Sequence, residues 1–359
     1  MHKSRLLSPG PAPIPDFVKE AITQPVIHHR TSEFETFYGD LLEDFKYLFQ
    51  TEQYVCSMIG SGTYGVEAAI YSLFREGEEV LVLNIGKFGE RWIDYGQLCG
   101  LNVYELKKEW GHTIAIPETI EALDKIKVPK GIIITHSETS TGVCLDLEEI
   151  AFAIRQQYPE LLILVDAITS VGALPFYMDD WKIDCAVVAA QKALMNPAGT
   201  AAFALSEMAK NKLQATHPAD FRNLHNYLHW AEQKNYPYTP PVSLLYGLKA
   251  ATAHIRTKTL PTVWNEVHQA SQFFKEEIQK LGGKLLAQQP SDSLTAFYID
   301  EVDMTFLLKQ LEEIYRLKLS GGQSMLKGKI ARISHMGLAD QQAAAVCITA
   351  ISEILNKNP

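Results

Sequence analysis

Short apolar runs alternate with amphipathic stretches between about residue 54 and residue 205. A short apolar run bounded by polar residues is typical of a buried strand, whereas apolar residues spaced three and four apart are typical of a helix. Strands that alternate with helices indicate a mostly parallel sheet, so this part of the chain is predicted to be an α/β domain. The predicted strands are YVCSMI, EVLVLN, LNVYEL, GIIITH, LLILVD, CAVVAA and TAAFAL.

The pattern is different at both ends of this region. Residues 1–20 contain PGPAPIP and are predicted to form an extended arm, because proline disfavours a helix. Residues 33–50 have helical spacing. A long helical stretch over 244–281 is followed by strand-like segments and two further helices, which indicates a smaller α+β domain. We therefore predict an arm over 1–20, a large domain over 21–243 and a small domain over 244–359.

Charge and composition exclude several classes of partner. The net charge is -9 and there is no long basic run, so nucleic acid and anionic membranes are poor partners. The five cysteines are scattered and form no CxxC pair, which fits a reducing compartment. With no signal-peptide or membrane-spanning pattern, the cytoplasm is expected. His225 and His229 have metal-ligand spacing, but Asn226 stands where a zinc-protease helix has glutamate, so no metal is predicted.

Reactive side chains follow several of the predicted strands. Ligands of parallel sheets bind at the carboxyl ends of the strands. Asp166 closes LLILVD, Lys192 follows CAVVAA, and the hydroxyl-rich HSETSTG (136–142) follows GIIIT. GSGTYGVEAA (60–69) opens a helix whose first N–H groups can bind a phosphate. A lysine, a carboxylate and a phosphate cradle on one sheet edge meet the needs of pyridoxal phosphate (PLP), whose aldehyde forms a Schiff base with a lysine.

Each of these features also has a simpler explanation. Lys192 could mark the exit of a strand into solvent, although lysine is rarely buried unless it is paired or chemically used. Asp166 could cap a helix, and GSGT could be a cap and a turn. Only their combination supports a cofactor site.

The chain resembles the class V aminotransferases of the fold-type I PLP enzymes, and within them the alanine–glyoxylate/serine–pyruvate group. The resemblance extends from LLSPGPAPIP to KIARISHMG, and its most specific motif is IDCAVVAAQKALMNPAGTAAF (183–203). In this motif Lys192 matches the lysine that forms the Schiff base. The resemblance implies an α/β fold like that of aspartate aminotransferase, with a mostly parallel large-domain sheet and a smaller α+β C-terminal domain.

Other positions match the family's site one at a time. Asp166 matches the aspartate that pairs with the pyridinium nitrogen. Arg332 in KIARISHMG matches the arginine that binds the substrate α-carboxylate, for which a guanidinium offers two parallel charged hydrogen bonds. The remaining matches are Ile168 and Phe88 on the two ring faces, Ser61, Gly62, Thr63 and Gln191 at the phosphate, Thr139 near the ring O3′ or the phosphate, and Tyr236 and Thr239 from a neighbouring subunit.

Some of these matches leave alternatives open. Phe88 could be an ordinary core residue, and Tyr236 and Thr239 could be a linker tyrosine and a turn threonine. If Tyr236 and Thr239 do reach the phosphate of a neighbouring subunit, the enzyme works only as a homodimer.

The resemblance implies ping-pong transfer of an amino group from a small L-amino acid, alanine or serine, to glyoxylate or pyruvate. Lys192 would be the base, with a pKa lowered by burial and nearby cationic charge. The alternatives are an aspartate or phosphoserine aminotransferase on the same fold, or a non-enzymatic subunit associated with a hydrogenase. A cysteine desulfurase is disfavoured because the candidate active-site loop SGGQSMLKGK (320–329) contains no cysteine and Gln191, not histidine, precedes the lysine.

Overall fold

The computed structural model describes residues 4–214 and 220–357. The first three residues of the predicted arm, residues 215–219 of the predicted large domain and the last two residues of the predicted small domain lie outside the described part.

The seven strands predicted between residues 54 and 205 form one sheet. Its spatial order is first, seventh, sixth, fifth, fourth, second, third, and only the seventh strand runs antiparallel to its neighbours. The mostly parallel α/β sheet expected from the sequence is therefore confirmed. The strands are β1 (Tyr54–Gly60), β2 (Glu79–Asn84), β3 (Asn102–Lys107), β4 (Pro129–Thr135), β5 (Leu162–Asp166), β6 (Cys185–Ala189) and β7 (Gly199–Leu205).

The register of the central strands aligns their carboxyl ends. Thr135 at the end of β4 pairs with Asp166 at the end of β5, and Asp166 pairs with Val187 near the end of β6. All residues of β5 and β6 are buried, as expected for strands covered on both faces. The loops after these strands consequently meet at one edge of the sheet.

Helices surround this sheet. The helix predicted over 33–50 is present, whereas the predicted arm is extended only as far as Pro15, after which the proline-free DFVKEAI is helical. The helices up to the end of this part are α1 (Asp16–Ile22), α2 (Ser32–Phe49), α3 (Gly62–Leu73), α4 (Lys87–Leu98), α5 (Ile116–Asp124), α6 (Leu147–Gln157), α7 (Glu207–Lys212), α8 (Leu224–Glu232) and α9 (Val242–Lys258).

A smaller antiparallel sheet forms the C-terminal part. The predicted helical stretch over 244–281 is two helices, α9 and α10, which meet at Thr259, where φ is 70° and Pro261 follows. The elements of this part are α10 (Leu260–Lys280), β8 (Gly283–Leu285), β9 (Leu294–Ile299), α11 (Met304–Glu313), β10 (Ser320–Gly321), β11 (Ala331–Ser334) and α12 (Gln341–Lys357). The strands of the sheet have the order β8-β9-β11-β10.

Two hydrophobic cores accompany the two sheets. The N-terminal arm belongs with the smaller one, because Leu7 packs in it and Arg5–Leu6 pairs in parallel with Leu317–Lys318. Side chains of α9 pack in the larger core, so the domain boundary at residue 243 stays a prediction. Within residues 4–214 and 220–357, no helix has the length and apolar character needed to cross a membrane.

Candidate active site

The carboxyl ends of β4, β5 and β6 border one cleft together with the start of α3, and its volume is about 150 Å³. A larger cavity, about 410 Å³, is lined by Ala193 and Met195 but not by Lys192 or Asp166. The smaller cleft is the one that gathers the side chains predicted to do chemistry. Its lining comprises Gly62, Thr63, Phe88, Arg91, Thr135, Ser137, Thr139, Asp166, Ile168, Thr169, Gln191 and Lys192.

Lys192 lies in the loop after β6 and extends toward the N-terminal arm. Its Nζ donates a hydrogen bond of 2.6 Å to the carbonyl oxygen of Pro9. Burial lowers the pKa of Lys192 to about 8, the Arg332 guanidinium acts in the same direction, and Asp166 opposes both. A considerable fraction of the amine is therefore neutral just above neutral pH, so the expectation of a lowered pKa is confirmed.

Asp166 ends β5 with its carboxylate almost completely buried. Its Oδ1 accepts a hydrogen bond from the backbone N–H of Ile168 (3.1 Å), and its Oδ2 accepts one from Trp92 Nε1 (3.2 Å). Burial raises the pKa of Asp166 to about 7; Glu138 also raises it, whereas the hydrogen bonds and Lys192 lower it. Trp92 was not foreseen, although its spacing of four from Phe88 places both on one side of a helix.

The N-terminus of α3 forms the far side of the cleft. Ser61 caps the helix by accepting from Tyr64 N–H (3.4 Å) and does not line the cleft. Gly62 packs so closely that a Cβ there would lie 2.7 Å from both Ala189 Cβ and Ile168 Cδ1. Thr63 Oγ1 accepts from Arg91 Nη1 (2.8 Å). Free helix N–H groups and a nearby guanidinium make this end suitable for an anion.

Phe88 contributes an aromatic side chain to the cleft. The buried carboxylate of Glu138 fixes its backbone. Glu138 Oε2 accepts from the N–H groups of Phe88 (3.0 Å) and Gly89 (3.4 Å), and Oε1 accepts from Ser140 N–H (3.0 Å) and Oγ (2.6 Å). Burial raises the pKa of Glu138, and these hydrogen bonds oppose the change. Glu138 lies within HSETSTG, but nothing in the sequence showed that its acceptors would face the start of α4.

Arg332 lies on β11 of the smaller sheet and does not line the cleft, but it contacts Thr139, which does. Its Nη1 donates to the carbonyl oxygen of Thr139 (2.6 Å), and its Nε and Nη2 donate to the carbonyl oxygen of Gly321 (3.0 and 2.8 Å). Burial lowers the pKa of Arg332, and Glu138 opposes the change. The guanidinium is thus held at the junction of the two sheets by neutral acceptors, beside a residue that lines the cleft.

The family model for aminotransferase class-V matches residues 7–343. The chain belongs to the class V aminotransferases. It is 35% identical to the serine–glyoxylate aminotransferase of Methylorubrum extorquens, over 93% of this chain and 87% of the relative. It is 32% identical to the soluble hydrogenase 42 kDa subunit of Anabaena cylindrica, over 98% of this chain and 93% of the relative. The alanine–glyoxylate aminotransferase of Nostoc sp. superposes with a TM-score of 0.92 at 28% identity, over 99% of this chain and 96% of the other.

These comparisons confirm a PLP-dependent aminotransferase of fold type I. Four predicted site residues of this aminotransferase do not line its own cleft: Ser61 and Arg332, each next to or bonded to a lining residue, and Tyr236 and Thr239. Tyr236 is fully buried, with its ring 5.6 Å from the rings of both Tyr38 and Tyr227. The role that the resemblance implies for Tyr236, at the phosphate of a neighbouring subunit, stays a prediction. Thr239, three residues later, is exposed.

Proposed function

We propose that this aminotransferase moves the amino group of alanine or serine to glyoxylate or pyruvate by a ping-pong reaction with PLP. The observation that carries the proposal is that the partly buried Lys192 and the buried Asp166 line one cleft beside the N-terminus of α3. A serine–glyoxylate and an alanine–glyoxylate aminotransferase among the similar proteins support glyoxylate as the acceptor.

The residues that line the cleft fit PLP. Lys192 would bond to its aldehyde, Asp166 would face its ring nitrogen, and Gly62 and Thr63 would hold its phosphate. Gln191 Oε1 is buried without a hydrogen-bond partner among the described residues, so it is available to accept a hydrogen bond from a ligand. The absence of a Cβ at Gly62 lets the N-terminus of α3 pack closely against Ala189 and Ile168, and the N–H groups of that helix end suit an anion. When bound, PLP takes up the electron pair that remains after loss of a proton from the substrate.

The remaining positions would complete the cofactor site. Ile168 and Phe88 both line the cleft and offer apolar surfaces for the two faces of a flat ring. Thr139 provides a buried hydroxyl on the loop after β4. Ser61 contributes by capping α3, which fixes the helix end that receives the phosphate.

Lys192 is the base in this proposal. The neutral amine removes a proton from the α-carbon of the donor at Nζ and later returns a proton from the same atom. A pKa of about 8 keeps enough of the amine neutral to accept that proton near neutral pH. Burial of the side chain therefore serves the reaction directly.

Arg332 would bind the donor and the acceptor in turn. Alanine, serine, glyoxylate and pyruvate all carry a carboxylate beside the reacting carbon. A carboxylate would replace the neutral carbonyl partners of Arg332 with a charged, bidentate one, which is the stronger interaction. Donor and acceptor would thus be held by the same group in the two halves of the reaction.

We also propose that the chain works as a homodimer. The proposal rests on the family resemblance and on the position of Thr239, which is exposed and does not line the cleft of its own chain. If Thr239 reaches the phosphate of a partner subunit, Thr239→Ala should weaken PLP binding in the dimer. Sedimentation would show whether the chain dimerises at all.

The visible absorbance of the purified protein, supplemented with PLP, tests the function. We expect a band that is absent in Lys192→Ala, because that variant has no amine to bond the aldehyde. L-alanine, L-serine, L-aspartate and phosphoserine are then added separately, and the band is restored with glyoxylate or pyruvate. Bleaching by alanine or serine supports the proposal.

Other results would identify the alternatives. Bleaching only by aspartate or phosphoserine would mean that the reaction is the one proposed but that the amino donor is aspartate or phosphoserine. No band at any PLP concentration would favour a binding subunit, the role that the hydrogenase-named relative suggests.

A further inference from the structure

The Asp166 carboxylate has one side-chain hydrogen-bond donor among the described residues, and that donor is Trp92. Trp92 is fully buried on α4. Its Nε1–H lies 3.2 Å from Asp166 Oδ2 and also 3.2 Å from Thr135 Oγ1, so it bridges the ends of neighbouring strands β5 and β4. Because an indole is only a donor, this contact favours the ionised carboxylate over the acid.

The first turns of α4 supply two residues that line the cleft and one that lies behind it. Phe88 and Arg91 line it, and Trp92 lies behind it with its ring centroid 6.3 Å from that of Phe88. Their spacing of three and four residues places them on one side of the helix. Glu138 fixes the start of α4 through the N–H groups of Phe88 and Gly89. The indole therefore has little freedom to move away from Asp166.

We propose that Trp92 is a positioning residue whose indole N–H orients the Asp166 carboxylate and keeps it charged for the cofactor ring. The inference rests on the proposed function, since it assigns Asp166 to the ring nitrogen. Desolvation and the negative charge of Glu138 act against ionisation of Asp166, whereas Lys192 acts with Trp92 in its favour. Arg91 is the other cation that lines the cleft.

The experiment compares Trp92→Phe with Trp264→Phe. Trp264 is also buried, but its Nε1 has no hydrogen-bond partner among the described residues. PLP affinity is measured by equilibrium dialysis across a pH series. We expect Trp92→Phe to weaken binding roughly 10-fold, the effect of losing a hydrogen bond to a charged group. The acid-side loss of affinity should also move to higher pH by about one pH unit, with Trp264→Phe like wild type.

A double-mutant cycle with Asp166→Asn separates positioning from packing. If Trp92 acts through the charge of Asp166, Trp92→Phe should have little further effect in the Asp166→Asn background. Equal weakening in both backgrounds, or an unchanged pH profile in Trp92→Phe, would overturn the inference.

A second measurement needs no cofactor. In the cofactor-free protein, unfolding free energy is measured against pH for wild type and for Trp92→Phe, each with and without Asp166→Asn. The difference that Asp166→Asn makes changes with pH where Asp166 ionises, so it reports that pH in each background. Trp92→Phe should move this transition upward by about one pH unit, and an unmoved transition contradicts the inference. Failure of wild-type protein to bind PLP would instead count against the proposed function.

Discussion

The Nζ of Lys192 lies 2.6 Å from the carbonyl oxygen of Pro9. The contact joins the N-terminal arm to the reactive amine, and the arm itself is paired with Leu317–Lys318 through Arg5–Leu6 and packs in the smaller core through Leu7. Ser334, two residues after Arg332, donates its N–H to the carbonyl oxygen of Leu7 (2.7 Å). The arm therefore connects the proposed carboxylate-binding strand with the proposed base.

Replacement of Gly10 should disable the amine without unfolding the protein. Gly10 has φ +132°, and a Cβ there would lie 2.3 Å from Lys192 Nζ, so Gly10→Ala must displace either the arm or the lysine. We expect kcat/KM to fall by roughly 5- to 150-fold, the equivalent of about 1–3 kcal/mol of strain. Steady-state kinetics and the visible band report the effect.

Gly77→Ala is the matched control for this change. Gly77 also has a positive φ, +81°, but a Cβ there would meet nothing within 4 Å. The Gly77→Ala variant should therefore lose some stability and keep its activity. Equal activity in the two variants would show that the arm does not constrain Lys192.

Removal of the Arg332 charge should raise the pH at which Lys192 becomes neutral. Its cationic guanidinium lowers the pKa of Lys192, which lies at about 8. Arg332→Gln removes the charge, so the pKa of Lys192 should rise. The rate at which PLP attaches to Lys192 should then reach its maximum at a higher pH than in wild type. Arg332→Lys keeps the charge and should leave that pH dependence near wild type.

The same pair of variants separates charge from geometry in substrate binding. Arg332→Lys loses the bidentate fork, so the KM of both donor and acceptor should rise by roughly 10-fold or more. An unchanged KM for either substrate would argue against Arg332 as the shared carboxylate partner.

Asp166→Asn should stabilise the cofactor-free protein at neutral and higher pH. Burial raises the pKa of Asp166 from 3.8 to about 7, so the folded state retains a proton that the unfolded chain releases. The resulting stabilisation is complete below about pH 3.8 and is lost as the pH rises through about 7. Over this range the unfolding free energy of Asp166→Asn should increase relative to wild type by on the order of 4 kcal/mol. Any hydrogen bond that the asparagine loses would reduce this gain.

Urea unfolding at a series of pH values measures this gain. Asp94→Asn, at an exposed position on α4, is the control and should show no comparable trend. A constant difference between Asp166→Asn and wild type across the series would refute the raised pKa.

Glu138→Gln should weaken both the fold and the cofactor site. The carboxylate accepts hydrogen bonds from Phe88, Gly89 and Ser140, and an amide would turn a donor toward one of these groups. We expect a loss of about 1–3 kcal/mol in unfolding free energy, together with weaker PLP binding because Phe88 is no longer fixed. Glu148→Gln, at an exposed position on α6, should change neither quantity.

The meeting of Lys192 and Asp166 was predictable because of strand order in the chain. Both residues follow apolar runs of a βα alternation, and parallel strands bring their carboxyl ends to one edge. The GSGT turn could likewise be assigned to a helix N-terminus. Thr63 and Gly62 duly line the cleft, whereas Ser61 turned out to be the cap.

The partners of these groups could not be derived in the same way. Trp92, Glu138 and Pro9 contact the site through side-chain directions and loop paths that no local spacing encodes. The burial of Tyr236 among Tyr38 and Tyr227 depends on how α2 and α8 pack against the first strand.

The sequence by itself determined the alternation of strands and helices, the reactive residues at the strand ends and the family. Local pattern suffices for these, because periodicity and strand polarity are properties of short segments. Tertiary structure decided the pKa values of Lys192 and Asp166, the hydrogen bond from Trp92 and the position of Arg332 beside Thr139. These depend on desolvation and on contacts between residues far apart in the chain, which exist only in the packed fold.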